Sequence, residues 1–493
     1  MSEFYILGID QSTQGTKGVL VDASGRIVGR EDLPHDQIIS EEGYVSHDAG
    51  QIWANSLQVL KNVIEKTGVP KEKIKAMGIT NQRETTVAWD KNSGAPLAKA
   101  IVWQCARATD ICSQVEEKYH CAVEVYQKTG IKISPFFPAS KMAWLLQNEP
   151  AVKKASEEGS LAMGTMDAYL IYRFTKGASF YTDYSNASRT QLLNLQTLRW
   201  DEDLCRMFGV PMAALPALMD SDGEYGCTDL EGYLPAPIPI RGVLGDSHGA
   251  LFGHNCRQSG GIKVTYGTGS SVMMNIGGEF RQSQHGLATS LAWKVGGKVS
   301  YVLEGNINYT GAVITWLKND LGLIGSAGET EGLSREANPE DGTYIIPAFS
   351  GLGAPWWNNE AKAMIYGMSR TTGKKEIVKA ACESIAYQIR DVVDAMRSDT
   401  GLAIPELCVD GGPTRNGYLM QFQSNIADAA IRIPDAEELS VLGAVYTAGM
   451  AAGLYDEKVY NAISYQMYQP QMKQEAREKK VQGWKEAIGK LLK

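Results

Sequence analysis

Apolar residues recur along this chain in short β-branched runs and in longer stretches of helical period, separated by polar punctuation that carries the candidate chemistry. Residues 5 to 22, YILGIDQSTQGTKGVLVD, set two apolar runs around a turn of Gln, Ser, Thr and Gly. Lys263 to Ile276, KVTYGTGSSVMMNI, repeat that plan in the second half. Each predicts two strands joined by a tight polar turn. Glycine lets a backbone approach a ligand closely, and successive amide and hydroxyl donors form a concavity suited to phosphate oxygens. Two such hairpins, facing each other, suit one polyphosphate.

The DASGR turn and IVGR continue the first hairpin into a third strand. From Asp48 a helix is predicted, with Trp53, Leu57, Leu60 and Ile64 on one face. It leads to the strand IKAMGIT, the polar quartet Asn81, Gln82, Arg83 and Glu84, and a further strand in TTVAWD. A plain hairpin tip is one reading of that quartet, but such a tip normally carries Gly. Long hydrogen-bonding side chains at a strand end address a polar ligand more naturally, because a guanidinium fork and a carboxylate grip adjacent hydroxyls. Trp103 in IVWQCAR is either a core residue or a flat surface for a carbon skeleton. Pro135 and Pro138 put Phe136 and Phe137 on a constrained loop with one ring facing inward. Residues 182 to 190, TDYSNASRT, read as a polar loop with no derivable role.

In GVLGDSHGALFG, Asp246 stands between a strand and a helix, as an N-cap or as a cleft carboxylate able to act as general base. His248 reads as structural. Helices are predicted over Tyr309 to Leu317 and Glu376 to Met396. LCVDGGPTRNGYLMQFQSNIAD repeats strand, acidic Gly turn and helix; Gly411 and Gly412 would admit a nucleotide, with Asn416 placed to bond it. The small residues of SVLGAVYTAGMAAG predict a helix packed very close to its neighbours, and the tail beyond Pro470 a capping helix.

A chain of 493 residues exceeds one core, so two domains are expected, 1–254 and 255–493. With 44% hydrophobic and 21% charged residues the composition is that of a globular protein. A net charge of -8 without basic runs argues against a nucleic-acid partner and for small-molecule chemistry. Ser440 to Tyr455 falls short of the ~20 apolar residues a bilayer needs. No signal-like opening is seen, and a cytoplasmic enzyme is expected. The eight cysteines lack CxxC spacing and read as reduced thiols rather than a zinc site.

Two phosphate hairpins, a DGG turn and two acids, Asp10 and Asp246, describe an ATP site between domains. The NQRE quartet describes a second, hydroxyl-bearing ligand. Asp10 closes the first strand, as a turn former or as a holder of hydrated Mg²⁺. Phosphoryl transfer is the economical reading.

The chain also resembles the FGGY carbohydrate kinases, and within them is most similar to the glycerol kinases. GIDQSTQGTK, GITNQRETTVAWD, AIVWQCAR, TDYSNASRT, YGTGS, AFSGLGAPWW, ESIAYQIRDV and VDGGPTRNGYLMQFQS carry the resemblance in consistent order over nearly the whole chain. It implies an α/β fold of two duplicated actin-like ATPase (ribonuclease H-like) domains with a catalytic cleft between them, using ATP and Mg²⁺. By that resemblance Asp10 would serve Mg²⁺; Thr13, Lys17, Thr268 and Gly311 the phosphates; and Gly412 and Asn416 the adenosine. Arg83, Glu84 and Asp246 would hold substrate hydroxyls, Asp246 doubling as base, and Trp103 would pack on the carbon chain.

Glycerol kinases typically have Gln where this chain has Ser247 and Tyr where it has Phe136, so two hydrogen-bonding groups are missing from the acceptor pocket. A roomier pocket predicts a polyol or ketose of four to six carbons, such as the pentulose xylulose, with glycerol as the alternative. The Gly-Gly-Thr-Arg segment linked to sugar-bisphosphate feedback in some glycerol kinases is replaced by GYLPAPIPIRG, so no such feedback is expected. An actin-like ATPase without a sugar substrate is disfavoured by NQRE and Trp103. Self-association into a homodimer is left open.

Overall fold

In the computed structural model, which describes residues 3–493, each hairpin of the sequence opens a sheet of the same plan. Strands β1 (Tyr5–Gln11), β2 (Gly15–Asp22), β3 (Ile27–Pro34), β4 (Ile74–Asn81), β5 (Cys227–Thr228) and β6 (Ile238–Gly245) form a six-stranded sheet, ordered β5-β6-β4-β1-β2-β3. β1, β2 and β3 are antiparallel neighbours, whereas β4 joins β1, and β6 joins β4, in parallel. The second half repeats this with β7 (Ile262–Tyr266), β8 (Ser270–Gly277), β9 (Ala288–Val295), β10 (Lys298–Ile307), β11 (Glu406–Gly411), β12 (Ala430–Pro434) and β13 (Tyr465–Tyr468). Their order is β9-β10-β8-β7-β11-β12-β13. Again three antiparallel strands, β10, β8 and β7, are followed by two added in parallel, β11 and β12. One topology reached twice is a duplicated α/β unit of the actin-like, ribonuclease H-like kind.

Six helices matter for the site: α1 (Ala49–Thr67), α2 (Asp246–Gly253), α3 (Gly311–Asn319), α4 (Lys374–Thr400), α5 (Gly417–Ala427) and α6 (Leu439–Ala451). α1 starts where the Asp48 carboxylate accepts the N–H groups of Gly50 and Gln51, and stops at Gly68 in the left-handed region at φ 65°. Its stripe of Trp53, Leu57, Leu60 and Ile64 is buried. β1 is apolar on both sides because both faces of its sheet are covered.

The second covering layer is α6. Val441, Leu442, Val445 and Tyr446 share one core with Ile6, Val19 and Val21 of the first sheet, so the chain returns from its second half to its first. α6 also crosses α2 at near-zero clearance: a Cβ on Gly443 would lie 1.9 Å from the Gly249 carbonyl oxygen. This is the close packing that the small residues predict.

Three expectations change. β4 and the strand Thr86–Asp90 belong to different sheets, so the NQRE quartet joins two sheets and is no hairpin tip. Residues 182 to 190 are buried, as part of the strand Tyr181–Asp183 and the helical turn Tyr184–Ala187. Their polar groups bond one another: Asp183 accepts from Ser185 and Asn186, and Asn186 pairs with Asn81. Internal satisfaction permits the burial that polarity seemed to forbid. Asp246 is the first residue inside α2 rather than its N-cap, which is Gly245. Among the described residues no helix is long and apolar enough to cross a membrane.

Candidate active site

The turn after β4 brings Arg83 and Glu84 to the junction of the two halves, with Glu84 at φ 61°. Arg83 Nη2 and Nη1 donate to the two oxygens of Glu304 on β10 at 2.8 and 3.2 Å, and its Nε lies 3.2 Å from Asp246 Oδ1. Arg189, from the buried 182–190 segment, donates from Nε to Glu84 Oε1 at 2.6 Å and sets Nη1 2.9 Å from Glu304 Oε2. Burial alone would raise the Glu304 carboxyl, but Arg189 and Arg83 hold it below the usual carboxylate range. Asp246 differs from these buried groups: its side chain is 38% exposed and open to solvent. Its Oδ1 accepts the Ser247 N–H at 2.6 Å in the first turn of α2, where a helix amino terminus favours an anion.

Trp103 donates from Nε1 to Thr13 Oγ1 at 2.9 Å, tying this region to the first hairpin turn. Phe136 packs edge-on to Trp103 at 5.4 Å, while Phe137 is the inward ring, buried against the Arg189 guanidinium. Beneath them the Lys141 Nζ donates to the carbonyls of Trp103 and Phe136, and burial pushes its ammonium down to about 7.

Two cavities meet at Gly412. One, of about 600 Å³, is lined by Gly311, Lys318, Glu331, Gly412 and Asn416. The other, of about 610 Å³, is lined by Asp10, Lys17, Thr265, Asp410, Gly412 and Glu438. Lys17 Nζ donates to Glu438 at 2.7 Å and lies 4.0 Å from Asp10. Asp410 is held low, against its burial, by a 2.7 Å hydrogen bond with His254 Nε2. Asn416 caps α5 through Leu419 N and donates to Thr330. Thr13 and Thr268 line neither cavity: Thr13 is turned to Trp103, and the β7–β8 turn is clasped by Thr310 N to Thr268 O at 2.9 Å and Gly311 N to Gly267 O at 2.9 Å.

Asp10 Oδ1 is buried without a hydrogen-bond partner, and burial pushes this carboxyl up to about 7 despite Lys17, with Glu438 and Asp246 adding to the rise. An orphaned carboxylate oxygen beside a polar cavity fits a divalent cation. Among the described residues no cluster of three or more His, Cys, Asp or Glu could cage one. A single carboxylate completed by phosphate oxygens and water is how Mg²⁺ is commonly held.

The structure therefore gathers Arg83, Glu84 and Asp246 in one place, Trp103, Thr13 and Phe136 in a second, and Asp10 and Lys17 in a third. Gly311, Gly412 and Asn416 line a fourth. Sequence reasoning misses Glu304, Arg189, Glu438 and Lys141, and notes Asp410 only as the acid of the DGG turn. The one available signal was Glu304, an acid inside the otherwise apolar strand VSYVLEG.

Duplicated ribonuclease H-like domains around a cleft with acids from both halves define a protein of the actin-like ATPase class. The profile of the FGGY family of carbohydrate kinases, N-terminal domain, matches residues 5–253, and that of its C-terminal domain matches residues 262–452. Glycerol kinase 1 of Thermotoga maritima is 45% identical over 491 residues, 99% of each chain. The structure of Plasmodium falciparum glycerol kinase with ADP superposes with a TM-score of 0.93 at 36% identity, over 99% of this chain and 98% of that one. Xylulose kinase from Lactobacillus acidophilus shares the fold, with a TM-score of 0.87 at 21% identity over 99% and 98% of the two chains. The chain belongs to the FGGY family of carbohydrate kinases. It is an ATP-dependent enzyme that phosphorylates a hydroxyl group of a small molecule.

Proposed function

We propose that the acceptor is glycerol, that residues 1–254 hold it together with the first phosphate loop, and that residues 255–493 hold the nucleotide. The observation that carries this reading is full-length similarity to glycerol kinases at 45% identity, combined with a compact grip of Arg83, Glu84 and Asp246 beside Trp103. The expectation of a four- to six-carbon acceptor takes second place. What favours it is the pocket chemistry: Ser247 is short and Phe136 brings no hydroxyl to the ring that faces Trp103.

In the proposed reaction ATP supplies the phosphoryl group and Mg²⁺ neutralises charge on its phosphate oxygens. Arg83 and Glu84 fix two acceptor hydroxyls, and Trp103 packs on the carbon skeleton. Asp246, with Oδ1 bonded to the Ser247 N–H, keeps Oδ2 to take the proton from the attacking hydroxyl. Asp10 would hold the cation, with Lys17 4.0 Å from its carboxylate. Gly311, Gly412 and Asn416 border the nucleoside, and the clasped turn bearing Thr268 presents backbone donors to phosphate.

The test is ADP release with Mg-ATP against glycerol, erythritol, pentitols, pentuloses and hexuloses, ranked by kcat/KM. Glycerol is expected to exceed every larger acceptor by about tenfold or more, the scale of one pocket contact. A pentulose or tetritol at the head of the ranking would move the assignment to the second reading, with Ser247 and Phe136 as its determinants.

The Asp10 reading also predicts a pH dependence. The folded enzyme without metal keeps a proton on Asp10 up to about 7, whereas an ordinary Asp loses it near 3.8. This carboxyl's contribution is therefore complete below the unfolded pKa and is lost as pH rises towards 7. Asp10→Asn should match the parent in thermal unfolding at pH 4. By pH 8, without Mg²⁺ or nucleotide, it should exceed the parent by a few kcal/mol, the order implied by about three pKa units. Equal stabilities at both pH values would contradict the raised carboxyl.

A further inference from the structure

Glu304 belongs to the nucleotide-binding half, yet its charged partners both come from the other. It stands on β10 of the second sheet, and both carboxylate oxygens receive Arg83, with Arg189 beside them and Glu84 behind Arg189. Side-chain exposures of 8, 1, 2 and 3% for Arg83, Glu304, Arg189 and Glu84 mean that water cannot substitute for a missing partner. Two arginines and two glutamates balance in charge across the junction. Bound end-on, each terminal nitrogen of Arg83 keeps a second N–H for another acceptor. The carboxylate thus fixes the plane of the fork without exhausting it.

The same strand leads directly to the nucleotide. β10 pairs with β8 and ends at Ile307, and the chain then reaches Thr310 and Gly311, whose N–H groups clasp the β7–β8 turn. Ser270 and Thr310 share a 2.7 Å hydroxyl bond, and Ser271 donates to Glu304 at 3.3 Å. Anything that orders this clasp also orders the strand carrying Glu304.

We propose that Glu304 is a positioning residue that presents Arg83 to the acceptor, so that nucleotide held by the second half sets acceptor affinity in the first. This rests on reading Arg83 as an acceptor ligand. Contacts that reach from one half to the other are where the differential interaction that coupling between two sites requires can arise.

The experiment uses the full-length enzyme and its Glu304→Gln variant, in steady-state kinetics with glycerol and in hydrogen exchange with and without a non-hydrolysable Mg-ATP analogue. In the variant the KM for glycerol should rise about 10- to 100-fold, within the range of known site-to-site couplings; by reciprocity the KM for ATP at saturating glycerol should rise with it, while the Kd of the analogue without glycerol stays within about threefold. In the parent, the analogue should slow exchange across residues 79–90; in the variant that slowing should vanish, although residues 374–400 respond equally in both. Unchanged glycerol KM and unchanged protection of 79–90 would overturn the role, as would an equal loss of analogue affinity measured without glycerol, which denotes a merely structural group. If Glu304→Gln does not fold, Glu304→Asp keeps the charge with a shorter reach; it should give an intermediate glycerol KM, and parental values in both readouts would again overturn the role. If the parent itself does not phosphorylate glycerol, the acceptor assignment fails, and the exchange of 79–90 still decides the role of Glu304.

Discussion

Asp246→Asn should bind acceptor and nucleotide with KM values near those of the parent and lose about 10²- to 10⁴-fold in kcat, the usual worth of a general base. The amide keeps the shape of the carboxylate and can still accept from the Ser247 N–H and Arg83 through its oxygen. Its NH₂ cannot take a proton. At 38% side-chain exposure the change leaves no deeply buried group unpaired, so folding should survive it. Arg83 retains Glu304 as a bidentate partner in the variant, which keeps the acceptor grip. Because the loss belongs to the chemical step, the ratio of kcat values and not of KM values is the diagnostic. A kcat within threefold of the parent would remove Asp246 from the role of base and leave it as a hydroxyl ligand.

Gly443→Ala is the second large effect, and it reaches stability and catalysis together. The added methyl would lie 1.9 Å from the Gly249 carbonyl oxygen and 3.0 Å from the Gly253 nitrogen, both backbone atoms of α2, so no rotamer relieves the clash. α2 and α6 must separate, and α2 carries Asp246 at its first position. Overpacking of this kind costs about 1–3 kcal/mol and at a backbone–backbone crossing sits at the top of that range. The variant should show a lowered thermal midpoint and a reduced kcat. Gly489→Ala supplies the comparison, because its Cβ would meet nothing within 4 Å on a helix; there the substitution should leave the midpoint equal or raised. If Gly443→Ala unfolds where Gly489→Ala does, the crossing is not the constraint that the geometry describes.

Much of this architecture is legible in the sequence because apolar periodicity reports burial directly. The hairpins, the α1 stripe and the small-residue helix follow from it, and polar residues at strand ends mark Asp10, Arg83 and Asp246. What stays hidden is long-range neutralisation. Arg83 and Glu304 are 221 positions apart, and Glu84 and Arg189 are 105 apart. Read locally, one acid sits in a strand and one arginine in a polar loop, and only folding shows that they cancel. Periodicity likewise marks α6 as buried but does not say that it is buried against β1. Acceptor size stands between these cases: Ser247 and Phe136 register as lost hydrogen-bonding groups, but one chain does not say whether their neighbours refill the space.

The return of α6 to the first sheet also bears on synthesis. One face of β1 and β2 shares its core with residues 439–463, where Tyr446 and Tyr455 donate hydroxyl hydrogen bonds to the carbonyls of Gly25 and Asp22. On a ribosome that face lacks this cover while more than four hundred residues are added. The half made first is therefore left unfinished until most of the chain exists, and the nascent chain carries an apolar surface that chaperones must guard until α6 emerges.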